Sequence, residues 1–140
     1  MNYKEIITRL PYSKPFLFVD ALESVSENGV VGRYTFRAES DFYKGHFKEN
    51  PITPGVLLTE CMAQIGVVCL GIFLTATSQA KKVALSNTSI DFYKPVLPDE
   101  TVTVHSEKIY FRFGKLKCKV RMLNAKDEVV ALGEISGMVF

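Results

Sequence analysis

With 140 residues, 47% of them hydrophobic, the chain is long enough to bury one substantial core and reads as a single domain spanning 1–140. Its 17 basic and 15 acidic residues nearly balance, so bulk charge gives no argument for nucleic acid or membrane as a partner. Cys61, Cys69 and Cys118 form neither a C-x-x-C pair nor an even secreted framework, which points to a reducing compartment. Met1 to Thr8 lacks the apolar core of a signal peptide, so the cytoplasm is the expected location.

In chain order, Asn2 to Arg9 is expected to form a short helix closed by Leu10-Pro11. Phe16 to Val25 reads as a strand, and Asn28-Gly29 is a hairpin turn signal. Val30 to Ala38 returns as a second strand, with Gly32, Tyr34 and Phe36 on one face and Arg33, Thr35 and Arg37 on the other. A loop around His46 follows. From about Pro54 to the mid-seventies the sequence is apolar almost all round, which requires a helix buried on most sides. A membrane span is excluded because Thr59, Glu60 and Gln64 interrupt the run, and a span needs roughly 20 apolar residues. Gly66 and Gly71 each cost that helix about 1 kcal/mol against alanine, a cost explained if strands approach closely there.

After a polar break at Thr75 to Lys82, four strand-like runs complete the chain: Val83 to Tyr93, Thr101 to Phe113, Lys115 to Leu123 and Glu128 to Phe140. The third alternates most cleanly, with Leu116, Cys118 and Val120 opposite Lys115, Lys117, Lys119 and Arg121. One helix among about six strands, without repeat or linker, predicts an α+β fold with an antiparallel sheet.

The chemistry concentrates at Gly45 to Gln64. His46 sits on a proline-fixed loop, and a carboxylate, Glu60, follows fourteen positions later inside the apolar run. Thr53 is expected to be the N-cap of the helix, with Pro54 at its first position. The amides of Gly55 and Val56 would then be unpaired donors at the positive end of the helix dipole. A proton acceptor, an oxyanion-type donor and a second carboxyl group would suit proton transfer next to a carbonyl. Burial would raise the pKa of Glu60 and let it act as an acid, and Gln64, one turn on, is placed to orient it. Cys61 projects about 100° from Glu60 on the helix; a nucleophilic pair with His46 is conceivable, but a small buried residue is the better reading. His105 shares a strand face with Thr101 and Thr103 and reads as a solvated or hydrogen-bonded residue. Two histidines without Cys/His spacing argue against a structural zinc site.

Gly-His-Phe at 45–47, then Pro51-x-x-Pro54-Gly55-Val56-Leu57-x-x-Glu60-x-Met62-Ala63-Gln64, resembles the signature of the 3-hydroxyacyl-acyl-carrier-protein dehydratases. The likeness extends from Leu10-Pro11-Tyr12 and Pro15-Phe16-Leu17-Phe18-Val19-Asp20 to Phe92-Tyr93-Lys94-Pro95-Val96. Two departures stand out: Lys48 replaces a usual proline, and Pro98-Asp99-Glu100 replaces Pro-Gly-Asp. The resemblance implies the hotdog fold, a long central helix wrapped by a curved antiparallel sheet. It implies dehydration of a 3-hydroxyacyl thioester, with His46 as base, Glu60 as acid, and Gly55 and Val56 at the thioester carbonyl. Phe47, Pro54 and Gln64 would support them, with no cofactor and no metal. The implied partners are acyl carrier protein and further copies of the chain, as a homodimer or a trimer of dimers in which His46 of one subunit faces Glu60 of the other. Carrier protein is acidic, which gives the basic residues Arg33, Arg37, Lys115, Lys117, Lys119 and Arg121 a docking role, although the commoner reading of such a face is solvation. Two rival functions share this sequence pattern: a hotdog thioesterase, and a noncatalytic acyl-binding or assembly subunit.

Overall fold

The computed structural model describes residues 1–75 and 82–140 and places six antiparallel strands in one sheet around one long helix. The elements are helix α1 (Tyr3–Thr8), strands β1 (Ala21–Ser26) and β2 (Gly29–Thr35), helix α2 (Gly55–Leu74), and strands β3 (Val83–Phe92), β4 (Thr101–Arg112), β5 (Lys115–Leu123) and β6 (Val129–Val139). Strand order is β1-β2-β4-β5-β6-β3, so β1 and β3 are the sheet edges. This is the expected α+β hotdog architecture. The polar break at Thr75 to Lys82 lies, apart from its two ends, outside the described residues.

The alternation read from sequence is the alternation of burial. Leu116, Cys118 and Val120 are fully buried on one face of β5, while Lys119 and Arg121 on the other are exposed. Tyr34 and Phe36 face the core with Phe18, packed edge to face or stacked with ring centroids 4.9–6.2 Å apart. Each such apolar side chain contributes about 1.5–3 kcal/mol by leaving water.

Despite Thr59, Glu60 and Gln64, helix α2 is long and apolar enough to cross a membrane, so the interruptions do not by themselves exclude a span; burial of 67% of its most apolar window inside the protein makes it the core helix. It is not uniform. Gly55–Ala63 and Leu70–Leu74 are α-helical, whereas Gln64–Cys69 between them is a π-helical turn that no sequence signal announced. The Gly66 carbonyl in that turn accepts a 2.8 Å hydrogen bond from the Ser106 hydroxyl of β4. A Cβ at Gly66 would stand 3.2 Å from Ser106 and Val120, a tight fit that those side chains would have to yield to, so close packing of β4 and β5 favours glycine there. At Gly71 the same atom would meet only ordinary contacts at 3.6–3.8 Å; the expected close approach is absent there.

Two other expectations are corrected. The first strand begins at Ala21 instead of Phe16. The Phe16 carbonyl and the Phe18 amide are bonded to the Gln64 side chain, and the Phe18 carbonyl accepts from Cys61 Sγ, so the helix satisfies this backbone and no strand partner is needed. The β1–β2 hairpin turns at Glu27-Asn28, and Gly29 already pairs with Ser26. A Cβ at Gly29 would collide with the Ser106 carbonyl, so the neighbouring strand, not the turn, demands glycine.

Candidate active site

His46 is held by a loop closed at its base. The 3-10 turn Asp41–Lys44 ends at Gly45, and the amides of Gly45 and His46 both donate to the Phe42 carbonyl, at 3.2 and 3.1 Å. On the far side the Ile52 amide donates to the His46 carbonyl at 3.0 Å, and His46 Nδ1 lies 2.8 Å from the Ile52 carbonyl oxygen. A carbonyl only accepts, so this bond sets the proton of the neutral ring on Nδ1 and leaves the Nε2 lone pair available. The Phe47 ring stacks on the imidazole with centroids 3.8 Å apart, across a cis peptide bond. The half-buried His46 is thus fixed in tautomer and orientation while one nitrogen stays basic.

The helix start differs in detail from expectation. Pro54, not Thr53, is the N-cap: its φ of −59° and ψ of 135° are non-helical, and its carbonyl accepts from the amides of Leu57 and Leu58. The Thr53 hydroxyl is committed elsewhere, to the buried Tyr43 hydroxyl. Shifting the cap by one residue makes Gly55 and Val56 the first two helical positions, where amides have no intrahelical carbonyl to reach. The Thr53 amide donates to the Val96 carbonyl at 2.9 Å and draws the 92–96 segment against the helix start. Between them opens a cleft of about 360 Å³ lined by His46, Ile52, Gly55, Leu58, Phe92 and Tyr93 among others. The structure therefore brings His46 and Gly55 to one space. Phe47 stacks on the histidine ring without lining the cleft, and Val56, 78% exposed, does not line it either.

Glu60 is elsewhere on the helix. It lies five positions on from Gly55, about 140° around the axis and roughly 7.5 Å along it. Its Oε1 accepts from Gln64 Nε2 at 3.0 Å. Gln64 is fully buried, and the same amide nitrogen donates to the Phe16 carbonyl at 3.0 Å while Oε1 accepts from the Phe18 amide at 2.8 Å. Gln64 thus holds Glu60, as its place one turn on suggested, and also satisfies backbone groups of Phe16 and Phe18. Tyr12 stands nearby: burial first, and the charge of Glu60 second, push its phenol up to about 12. Tyr12 and the Phe92–Pro95 wall were not singled out as site residues from sequence, although both lie in the blocks that carried the family likeness.

Over 99% of its length the chain is 32% identical to 3-hydroxyacyl-acyl-carrier-protein dehydratase FabZ of Caulobacter vibrioides, covering 88% of that protein. It is 34% identical to FabZ of Anaplasma marginale over 99% of its own length and 97% of that protein's. The FabA-like domain family matches residues 10–134. The chain belongs to the FabA-like 3-hydroxyacyl-acyl-carrier-protein dehydratase family. Its fold is also that of the dehydratase heterocomplex ApeI:P from Xenorhabdus doucetiae, with a TM-score of 0.80 over 95% of this chain and 89% of that one, at 12% identity.

The two departures from the dehydratase pattern have structural accounts. Lys48 is the second residue of a turn in which the Asn50 amide donates to the Phe47 carbonyl at 3.0 Å and Glu49 has φ of 57°. Such turns favour proline at that position but do not require it, so the His46 loop closes with lysine there. Asp99 stands where the dehydratases usually carry glycine and has φ of 68°. Its side chain accepts from the Ala38 amide, 61 positions away in the chain, at 2.9 Å, a tertiary bond that anchors the residue in this backbone.

The Cys61 thiol is buried, donates to the Phe18 carbonyl at 3.4 Å, and is pushed well above its usual range by burial. A thiol so held is a poor nucleophile. Cys61→Ser should leave kcat within about threefold, because a hydroxyl repeats the same donor bond; abolished turnover in a folded variant, measured by steady-state kinetics, would restore the nucleophilic reading.

The six basic residues do not form one patch. Arg37 leaves the strand face to pair with Asp20 at 3.0 Å and to lie over the Tyr34 ring. Arg33 pairs with Glu23 at 3.4 Å and Lys117 with Glu134 at 3.1 Å. Lys119 and Arg121 remain exposed on the outer sheet face, beside a shallow groove that also includes His105, Glu107, Val129 and Leu132. His105 there is lowered by partial burial and then by Arg121.

Proposed function

We propose that this protein removes water from a 3-hydroxyacyl thioester carried on acyl carrier protein, giving the trans-2-enoyl thioester in fatty-acid or related lipid biosynthesis in the cytoplasm. The observation that carries this reading is the cleft where a tautomer-fixed His46 and the free amide of Gly55 meet. His46 Nε2 takes the proton from C2 of the acyl chain. The electron pair of that C–H bond moves toward the thioester carbonyl, and the developing oxyanion is held by the Gly55 amide and the positive end of α2. As the C2=C3 bond forms, the C3–O bond breaks and Glu60 donates the proton that lets the hydroxyl leave as water. Return of the proton from imidazolium to carboxylate resets the site. Abstraction of a C–H proton by a histidine depends on stabilisation of the enolate, which the helix start supplies.

His46 and Glu60 come from different parts of the surface, and the second site half is supplied by another copy. Strand β3 is a ten-residue edge, exposed over most of its length, with Leu85 and Phe92 each 48% exposed and Asp91 its one charge. The opposite edge, β1, is shorter and carries Glu23, Ser24 and Ser26. A long edge with a single charge is the one that seeks a partner strand, and pairing β3 with β3 about a twofold axis removes it. This dimer sets His46 of one subunit across from Glu60 of the other; a trimer of dimers would be built from the same pair.

The acidic carrier protein docks, in this reading, through Lys119 and Arg121, the exposed cations of β5. Lys119→Glu with Arg121→Glu should raise KM for carrier-bound substrate several-fold, more at low salt, and leave a small thioester surrogate unaffected. Unchanged KM for the carrier-bound substrate removes this docking face.

Mass spectrometry of a 3-hydroxyacyl carrier protein after incubation tests the reaction itself. Loss of one water from the carrier-bound chain is expected. Loss of the acyl group would make the protein a thioesterase, and an unchanged carrier would make it a binding or assembly subunit.

A further inference from the structure

The hairpin that joins β4 to β5 ends in an apolar point that no core claims. Phe113 at its tip is 96% exposed, with φ of 51° and Gly114 beside it at 77°. Ile109, inside the bulge between Lys108 and Tyr110, is 47% exposed. The Gly114 carbonyl accepts from the Val139 amide at 2.7 Å, and Lys82 and Phe140 exchange backbone hydrogen bonds alongside, which sets Lys82 next to the tip.

The charges nearest this point are cations, Arg112 and Lys115 at the hairpin end and Lys82 alongside, whereas Lys117 further along β5 is paired with Glu134. From Lys108 to Lys119 the sequence holds Lys108, Arg112, Lys115, Lys117 and Lys119 and no acid. Arg112 and Lys115 face each other across the hairpin, and the Arg112 guanidinium lies 4.3 Å from the Tyr110 ring centroid, held outward by that contact. A protruding aromatic side chain inside a collar of cations suits an interface that is apolar within and anionic at its surface. A folded protein partner would need about 800 Å² of matching face, and a hairpin tip presents a point.

We propose that the β4–β5 hairpin tip docks on an anionic bilayer surface, with Phe113 and Ile109 entering the headgroup–acyl boundary and Arg112, Lys115 and Lys82 meeting the lipid charge. Strand β4 carries the tip about 36 Å from Thr101, at the end of the sheet where the Val96–Thr53 bond closes the His46 cleft. Docking therefore holds the cleft clear of the lipid. Binding through one aromatic and a few cations is reversible and salt-sensitive, distinct from a membrane span.

The chain contains no tryptophan, so Phe113→Trp places a single fluorescent reporter at the tip. Vesicles of phosphatidylglycerol with phosphatidylcholine should shift its emission to the blue, and pure phosphatidylcholine vesicles should not. In co-sedimentation at low salt, the unaltered protein should partition at least ~10-fold better to the anionic vesicles, a preference lost on raising salt. Phe113→Asn should reduce that partitioning about 10-fold, the effect of withdrawing one buried aromatic side chain. Asparagine tolerates positive φ, so thermal unfolding should be unchanged. None of these readouts needs turnover, so they stand or fall separately from the dehydration reading. Equal binding to neutral and anionic vesicles without a blue shift overturns the proposal. So does a Phe113→Asn variant whose only defect is a higher KM for carrier-bound substrate, or an altered subunit number.

Discussion

His46→Ala should lower kcat for dehydration of a 3-hydroxyacyl carrier protein by at least ~100-fold, and Glu60→Gln should do the same, with both proteins folded. The two losses have different physical origins. Alanine removes the base whose tautomer is fixed by the Ile52 carbonyl and which shares its cleft with Gly55. Glutamine keeps the shape of Glu60 and its ability to accept from Gln64, but has no proton to give to the leaving hydroxyl. Losing the His46–Ile52 hydrogen bond costs about 1 kcal/mol, small beside the 5–15 kcal/mol that holds a domain together, so activity should fall while the fold remains. Steady-state kinetics with circular dichroism on each variant decides the matter. Near-normal turnover by either folded variant ends its assignment as base or acid.

The fold was legible where one physical signal dominated. Burial alternates along β5 because Leu116, Cys118 and Val120 have one side of a sheet to choose, and the apolar run from Gly55 is buried as the core helix. The misreadings arose where a side chain replaced a backbone partner. Phe16 to Asp20 is apolar enough to be strand, but Gln64 takes up the Phe16 carbonyl and the Phe18 amide from across the core, a long-range event that no window of sequence contains. The N-cap moved from Thr53 to Pro54 for a similar reason, since the Thr53 hydroxyl found Tyr43 instead. The π-helical turn at Gln64–Cys69 follows from packing against β4 and β5 and leaves no mark in propensity. At the site, the residue types were readable and the proposed division of His46 and Glu60 between two subunits was implied by the resemblance, but the tautomer of His46 needed the Ile52 carbonyl, and the loss of Arg37 from the basic face needed Asp20.

That division carries the account's largest qualitative consequence. If each site takes His46 from one subunit and Glu60 from the other, a His46→Ala subunit paired with a Glu60→Gln subunit forms one doubly damaged site and one intact site. Random reassortment makes about half of the dimers mixed, so roughly a quarter of all sites should regain full activity. The two inactive proteins are unfolded together, refolded as a mixture, and assayed for dehydration beside each variant refolded alone, with subunit exchange verified by native mass spectrometry. Recovery to about a quarter of the unaltered activity is the result predicted for a site shared across a twofold axis. No recovery, with mixed dimers demonstrably present, would place both residues in the site of a single subunit and contradict the account.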